Sequence, residues 1–116
     1  MPQYAALIYA ADVDWSAPEY ADVMTEYGHF GEKHAGAICG GAALYPTSMA
    51  TVVRVEGARG GPVVTSDGPY AETKEAFTGF YLLEAADLDE AIALAADIPG
   101  SWDGAVEVRP VIPMSG

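Results

Sequence analysis

The chain has 116 residues, 51% hydrophobic and 19% charged, which is the length of one domain and too apolar a composition for a disordered segment. Seventeen acidic residues against five basic ones give a net charge of −12, so phosphate backbones and anionic lipid surfaces are repelled, and neither nucleic acid nor membrane is an expected partner. The opening MPQYAALIYAADVD lacks a basic region, and its apolar run is too short to span a bilayer or act as a signal, which implies a cytoplasmic protein.

Gln3 to Ala10 is apolar on both alternating faces, with Ala5, Leu7 and Tyr9 on one and Tyr4, Ala6 and Ile8 on the other. That pattern predicts a strand covered on both sides. Ser16-Ala17-Pro18-Glu19 has the form of a capping box with proline in the first turn. Tyr20, Val23, Met24, Tyr27, Phe30 and His34 follow at helical spacing, and the helix is expected to end near Gly36. From Ile38 to Tyr45 the pattern is ambiguous, since Gly40-Gly41 weakens a strand and Pro46 stops it. The one cysteine, Cys39, cannot close an intrachain disulfide and lies in this stretch, where a buried, inert thiol is expected.

Thr51 to Val55 and Pro62 to Thr65 are β-branched runs flanking a Gly-rich connection, which predicts a hairpin. Phe77 to Glu84 is a second strand apolar on both faces. Asp87-Leu88-Asp89-Glu90 caps a second helix, expected to face the core with Leu88, Ile92 and Ala95 before Pro99 ends it. Val106 to Val111 closes the chain as a strand, and the tail Pro113 to Gly116 is expected to be loose.

The order is an α+β, ferredoxin-like βαββαβ arrangement with an inserted β-hairpin. Two helices cover only one face of a four-stranded sheet, yet the central strands are apolar on both. A second copy of the chain is the expected cover.

Four segments, ATVVR, DGPYAETKE, GFYLLEAADLDEAIALAADIP and VEVRPV, together resemble the DGPF-type branch of the YCII-related proteins. Here Tyr70 stands where that branch has phenylalanine. The resemblance implies a ferredoxin-like fold that pairs into a dimeric α/β barrel. Other YCII-type members resemble one another in a His and Asp pair proposed as an active site, with the His about three turns before the closing glycine of the first helix. That place falls at Met24 or Thr25, and no histidine stands there. Members of the DGPF type are often seen beside extracytoplasmic-function sigma factors, so the resemblance also implies a link to such a factor.

Asp67 opens the turn Asp67-Gly68-Pro69-Tyr70 at the mouth of the Phe77 strand. Two readings stand for its carboxylate: a turn element that accepts backbone N–H bonds, or an acceptor or base for a substrate. Glu72, Lys74 and Glu75 set one cation between two anions. The structural reading pairs Arg54 and Arg109 with acids such as Glu72 or Glu107 across the sheet; the functional one makes Lys74 or Arg54 an anchor for a ligand. Tyr9, Phe80 and Tyr81 are core residues on central strands, or ligand contacts if a hydroxyl enters a cavity. His29 and His34 read as solvated or satisfied histidines, with no second ligand at zinc spacing.

Nucleotide-binding glycine loops, a serine nucleophile elbow and the basic aromatic strand motif of RNA-binding domains are all missing, and no metal or cofactor is expected. The expectation is therefore a homodimer binding a small organic molecule. Asp67, Glu72 and Lys74 are the candidate acid/base residues, and Arg54, Tyr9 and Tyr81 the candidate substrate contacts. The alternative is a ligand sensor or protein-interaction module.

Overall fold

In the computed structural model, which describes residues 1–114, the central strand is β1 (Gln3–Ala10). It is followed by α1 (Ala21–Lys33), β2 (Ile38–Ala43), β3 (Thr51–Val55), β4 (Val63–Asp67), β5 (Ala76–Glu84), α2 (Leu88–Ala96), the single turn α3 (Gly100–Asp103) and β6 (Ala105–Pro110). Ser115 and Gly116 of the tail lie outside the described residues.

Four strands form one antiparallel sheet in the order β2-β5-β1-β6, the order of a ferredoxin-like sheet, while β3 and β4 pair only with each other. The mixed α+β class expected from the strand and helix order is therefore present.

Register decides which side chains meet the helices. Tyr4, Ala6 and Ile8 of β1 lie opposite Leu83, Tyr81 and Gly79 of β5 and opposite Pro110, Val108 and Val106 of β6. This face holds the core, where Ala6, Leu83 and Ile98 are fully buried beside Tyr4, Ile8, Phe30, Ala91, Leu94 and Ala95. The other face carries Ala5, Leu7 and Tyr9 beside Leu82, Phe80 and Phe77, with Arg109, Glu107 and Ala105 from β6. No helix covers it.

Two helix expectations change. Ser16 caps nothing: its N–H and hydroxyl both bond the Asp14 carboxylate, and the chain enters α1 through a 3₁₀ turn, Pro18–Tyr20, with Ala17 at the cap position. Asp14, two residues away, is a nearer acceptor than the helix N–H groups are donors, and the local turn wins. In α2 the inward positions are Ala91, Leu94 and Ala95, whereas Leu88 and Ile92 are half exposed, so two of the three expected core residues point outward. Alanines at i and i+4 let the helix approach the sheet closely, and the larger side chains are turned away.

Gly41 shows why β2 tolerates a glycine pair. A Cβ there would stand 2.4 Å from the Phe80 carbonyl oxygen, so only glycine lets the edge strand approach β5. The ladder also slips between Ile38 and Gly40, leaving Cys39 out of register and exposed rather than buried. Desolvation first and the Glu84 carboxylate second push its thiol pKa up, which keeps it protonated and unreactive.

Asp87 accepts the Glu90 N–H at 2.9 Å and is a true N-cap. In urea unfolding, Asp87→Ala is expected to lose about 1 kcal/mol, while Ser16→Ala should stay within about 0.5 kcal/mol of the parent. Equal losses at the two sites would contradict this assignment of caps.

Candidate functional site

Helix α1 packs on the core through Phe30 and, less deeply, Tyr27. Phe30 is its only buried residue, packed against the Tyr81 ring at 5.0 Å, while Val23 and Tyr27 are half-buried and Met24 is more exposed still. A cavity of about 210 Å³ lies between the first turns of the helix and the sheet. Ile8, Met24 and Gly41 form apolar walls, Tyr27 and Tyr81 bring hydroxyls, and Trp15 and Thr78 complete the lining, the Thr78 hydroxyl donating to the Ile8 carbonyl at 3.4 Å.

Burial pushes the Tyr27 and Tyr81 hydroxyl pKa values up, for Tyr27 with a further push from Tyr81, so both stay protonated. Trp15, stacked on Tyr20 at 4.9 Å, has a buried indole N–H with no hydrogen-bond partner. Among the described residues no charged side chain lines this cavity.

A second, wider hollow of about 770 Å³ opens on the uncovered side of the sheet. The segment Pro69–Thr73 walls it on one side, with Tyr9 and Phe77 as its floor and Leu44, Tyr45 and Thr47 opposite. The bend after Asp67 does border a concavity. It turns at Gly68, whose φ of 95° favours glycine and whose N–H donates to the Ala50 carbonyl at 2.8 Å.

The six residues nominated from the sequence do not form one constellation. Tyr9 and Glu72 share the wide hollow, and Tyr81 lines the cavity on the opposite face of the sheet. Asp67 ends β4, exposed, and its carboxylate accepts no hydrogen bond among the described residues, so the turn is held by Gly68 backbone instead. Lys74 is exposed and lines neither hollow. Arg54 lies over the Tyr70 ring, 5.2 Å from its centroid, and Tyr70 in turn lines the wide hollow.

The cross-sheet ion pairs expected for Arg54 and Arg109 are not made; the ion pairs among the described residues are at Asp97 and Glu26. Exposed pairs gain little against side-chain entropy, and Arg54 finds an aromatic face instead.

A carboxylate held by donors does occur in the hollow, but it is Asp12. Thr47 donates both its N–H, at 2.9 Å, and its hydroxyl to it. The hydroxyl bond first and the backbone bond second hold the Asp12 pKa below the usual carboxylate range, which makes it an anion and a weak base. The partners lie 35 residues apart, and nothing local in the sequence joins them. Trp15, Met24 and Tyr27 were also missed as cavity residues, although the 3.6-residue stripe places Met24 and Tyr27 on one helix face. Met24 lies where the resemblance would place a histidine, at Met24 or Thr25.

His34, half-buried beside the Phe30 ring, bonds Asp97 at 2.8 Å, and Lys33 reaches the same oxygen at 3.0 Å. This clip ties the end of α1 to the end of α2, so His34 is a satisfied histidine. Among the described residues no three His, Cys, Asp or Glu side chains converge as a metal site requires, and no helix is long and apolar enough to cross a membrane.

A small antiparallel α+β domain with a cavity under its first helix is the class these features define. The sequence model of the YCII-related domain matches residues 3–115, and the chain belongs to the YCII-related family. It is similar to an uncharacterized protein of Rhizobium meliloti (strain 1021), 37% identical over 115 residues that cover 93% of this chain and 90% of that protein.

The bonds from His34 first and Lys33 second depress the Asp97 pKa below its ordinary value. A depressed carboxylate contributes stability that is present above its unfolded pKa of about 4 and lost as pH falls through the lower folded value. Asp97→Asn is expected to be less stable than the parent at pH 6, and the gap should close as pH falls below about 4. A gap that persists unchanged in acid would place its cause elsewhere.

Proposed function

We propose that this protein is a homodimer that binds a small organic molecule in the cavity between α1 and the sheet of each protomer. The observation that carries the ligand reading is the cavity itself: apolar walls with a few polar atoms are the make-up of a small-molecule site. Two features support pairing.

The uncovered sheet face presents Leu7, Phe80, Leu82, Tyr9 and Phe77 side by side, with Tyr9–Phe77 and Phe77–Phe80 rings 5.7 and 6.5 Å apart. An apolar face of this kind is a liability on a lone particle. The β3–β4 hairpin is also exposed along nearly its whole length, including Val53 at 61% and Val63 at 66%, and a two-stranded ribbon is marginal in water without something to pack on. In a face-to-face pair of ferredoxin-like sheets, the dimeric α/β barrel of the DGPF type, the hairpin becomes an arm laid along the partner.

A second reading rests on the wide hollow, which such a pair would roof over. Glu72, Tyr9 and the donor-held Asp12 converge there, and cofactor-free acid/base chemistry on a bound substrate would use Glu72 as base, with Asp67 and Lys74 supplying further charge from the same segment. As a sensor linked to an extracytoplasmic-function sigma factor, the dimer would instead use the cavity as its input.

Sedimentation is expected to show a particle of twice the 12.1 kDa chain mass at micromolar concentration. Leu82→Asp should shift it to the single-chain mass while the far-ultraviolet circular dichroism is retained. A single-chain particle for the parent would overturn the pairing.

A further inference from the structure

We propose, building on the reading of the wide hollow as a ligand site, that its occupant is a small organic cation, with an ammonium group drawn to the Asp12 and Glu72 carboxylates and an apolar body laid on the Tyr9 and Phe77 rings. Size, aromatic surface and charge converge on that class.

Size comes first. About 770 Å³ lies within the roughly 300–1,000 Å³ of small-molecule pockets, which leaves room for a charged head and a hydrocarbon body together. The floor for that body is the Tyr9–Phe77 pair, whose ring centroids are 5.7 Å apart, and Phe77 is exposed.

Aromatic surface is the second. Tyr45 and Tyr70, both exposed, add rings to the walls. The face of such a ring carries negative potential and attracts a cation. Arg54 already does this at Tyr70, with its guanidinium 5.2 Å from the ring centroid. It engages that one ring without lining the hollow, so Tyr9, Tyr45 and Phe77 remain for a guest.

Charge is the third. Asp12 and Glu72 line the hollow, and among the described residues no Lys, Arg or His does. Neither carboxylate is in an ion pair among those residues. Thr47 donates to Asp12 without neutralising it, and its bonds hold that carboxylate in the anionic form. Lys74 follows the wall segment in the chain but does not line the space, and Glu75 stands next to it. An anion would meet two carboxylates in a chain of net charge −12. A second copy laid over this face would also strip water from both carboxylates, a cost that a cationic guest offsets.

The test uses three probes that share one ring and a two-carbon arm: phenethylamine, a cation at neutral pH; 2-phenylethanol, which is neutral; and 3-phenylpropionate, an anion. Binding is followed on the ¹⁵N–¹H amide signals of Thr47 and of Tyr70 to Thr73, in about 0.1 M salt, where charges more than about 10 Å away are largely screened.

Phenethylamine is expected to move those signals and to bind about tenfold more tightly than 2-phenylethanol, with 3-phenylpropionate weaker still. Glu72→Gln should weaken phenethylamine about fivefold and leave 2-phenylethanol unchanged. Glu32→Gln, which removes the same charge from the exposed surface of α1, should change neither. The comparison of probes in the parent protein stands whatever the stability of the variants. Either other probe moving the same signals with the affinity of phenethylamine, or equal phenethylamine affinity in Glu72→Gln and Glu32→Gln, would overturn the cationic class and leave the hollow as a ligand site. No response of those signals to any of the three would overturn both.

Discussion

The structure depends on an asymmetry of coverage. Chain order places both long helices on one side of the four-stranded sheet, and the side chains that alternate to the other side are as apolar as those beneath the helices. Fully burying one Leu or Phe side chain is worth about 1.5–3 kcal/mol, and on this face Leu7, Tyr9, Phe80 and Leu82 stay partly exposed and Phe77 is 39% exposed, so part of that gain is unused. The molecule is correspondingly thin. Its extents are 46 × 42 × 20 Å, and its radius of gyration of 16.3 Å exceeds the roughly 13 Å of a compact chain of this length. One sheet and one helix layer, with a hairpin projecting from them, account for both figures.

The cavity follows from the same economy of contacts on the covered side. α2 lies close because alanines face the sheet, whereas α1 is fixed at its C-terminal end by Phe30 and by the clip of His34 and Lys33 on Asp97. Its first turns follow a 3₁₀ segment and carry Val23 and Met24, while Tyr27 is half-buried against the core. A helix held at one end and propped at the other leaves a space, and the Trp15 loop closes its side. Two hollows on opposite faces of one sheet result, one mostly apolar in its lining, the other wide and bordered by Asp12 and Glu72.

Strands and their order were legible because two-sided apolarity and β-branched runs are local signals, and the Asp87 cap was legible because donor and acceptor lie three residues apart. Ser16 misled because Asp14 competes for the same hydroxyl, a contest that a four-residue motif does not display. Leu88 and Ile92 misled because size was taken for burial, when close packing selected the alanines. Cys39 misled because a bulge is a property of two strands together. The site was harder still: the bend at 67–75 does border a hollow, yet Asp67 and Lys74 are not part of its lining, and the carboxylate that fits the chemistry argued for Asp67 is Asp12, bonded across 35 residues. Long-range pairings of that kind are invisible in a linear pattern.

The central claim is that the bare sheet face meets its counterpart on a second copy. Small-angle X-ray scattering measures it through the least dimension of the particle in solution. Stacking through the sheets should bring that dimension to about twice the 20 Å of one chain. A particle that keeps the single-chain thickness, whether alone or joined only at its edges, would contradict it.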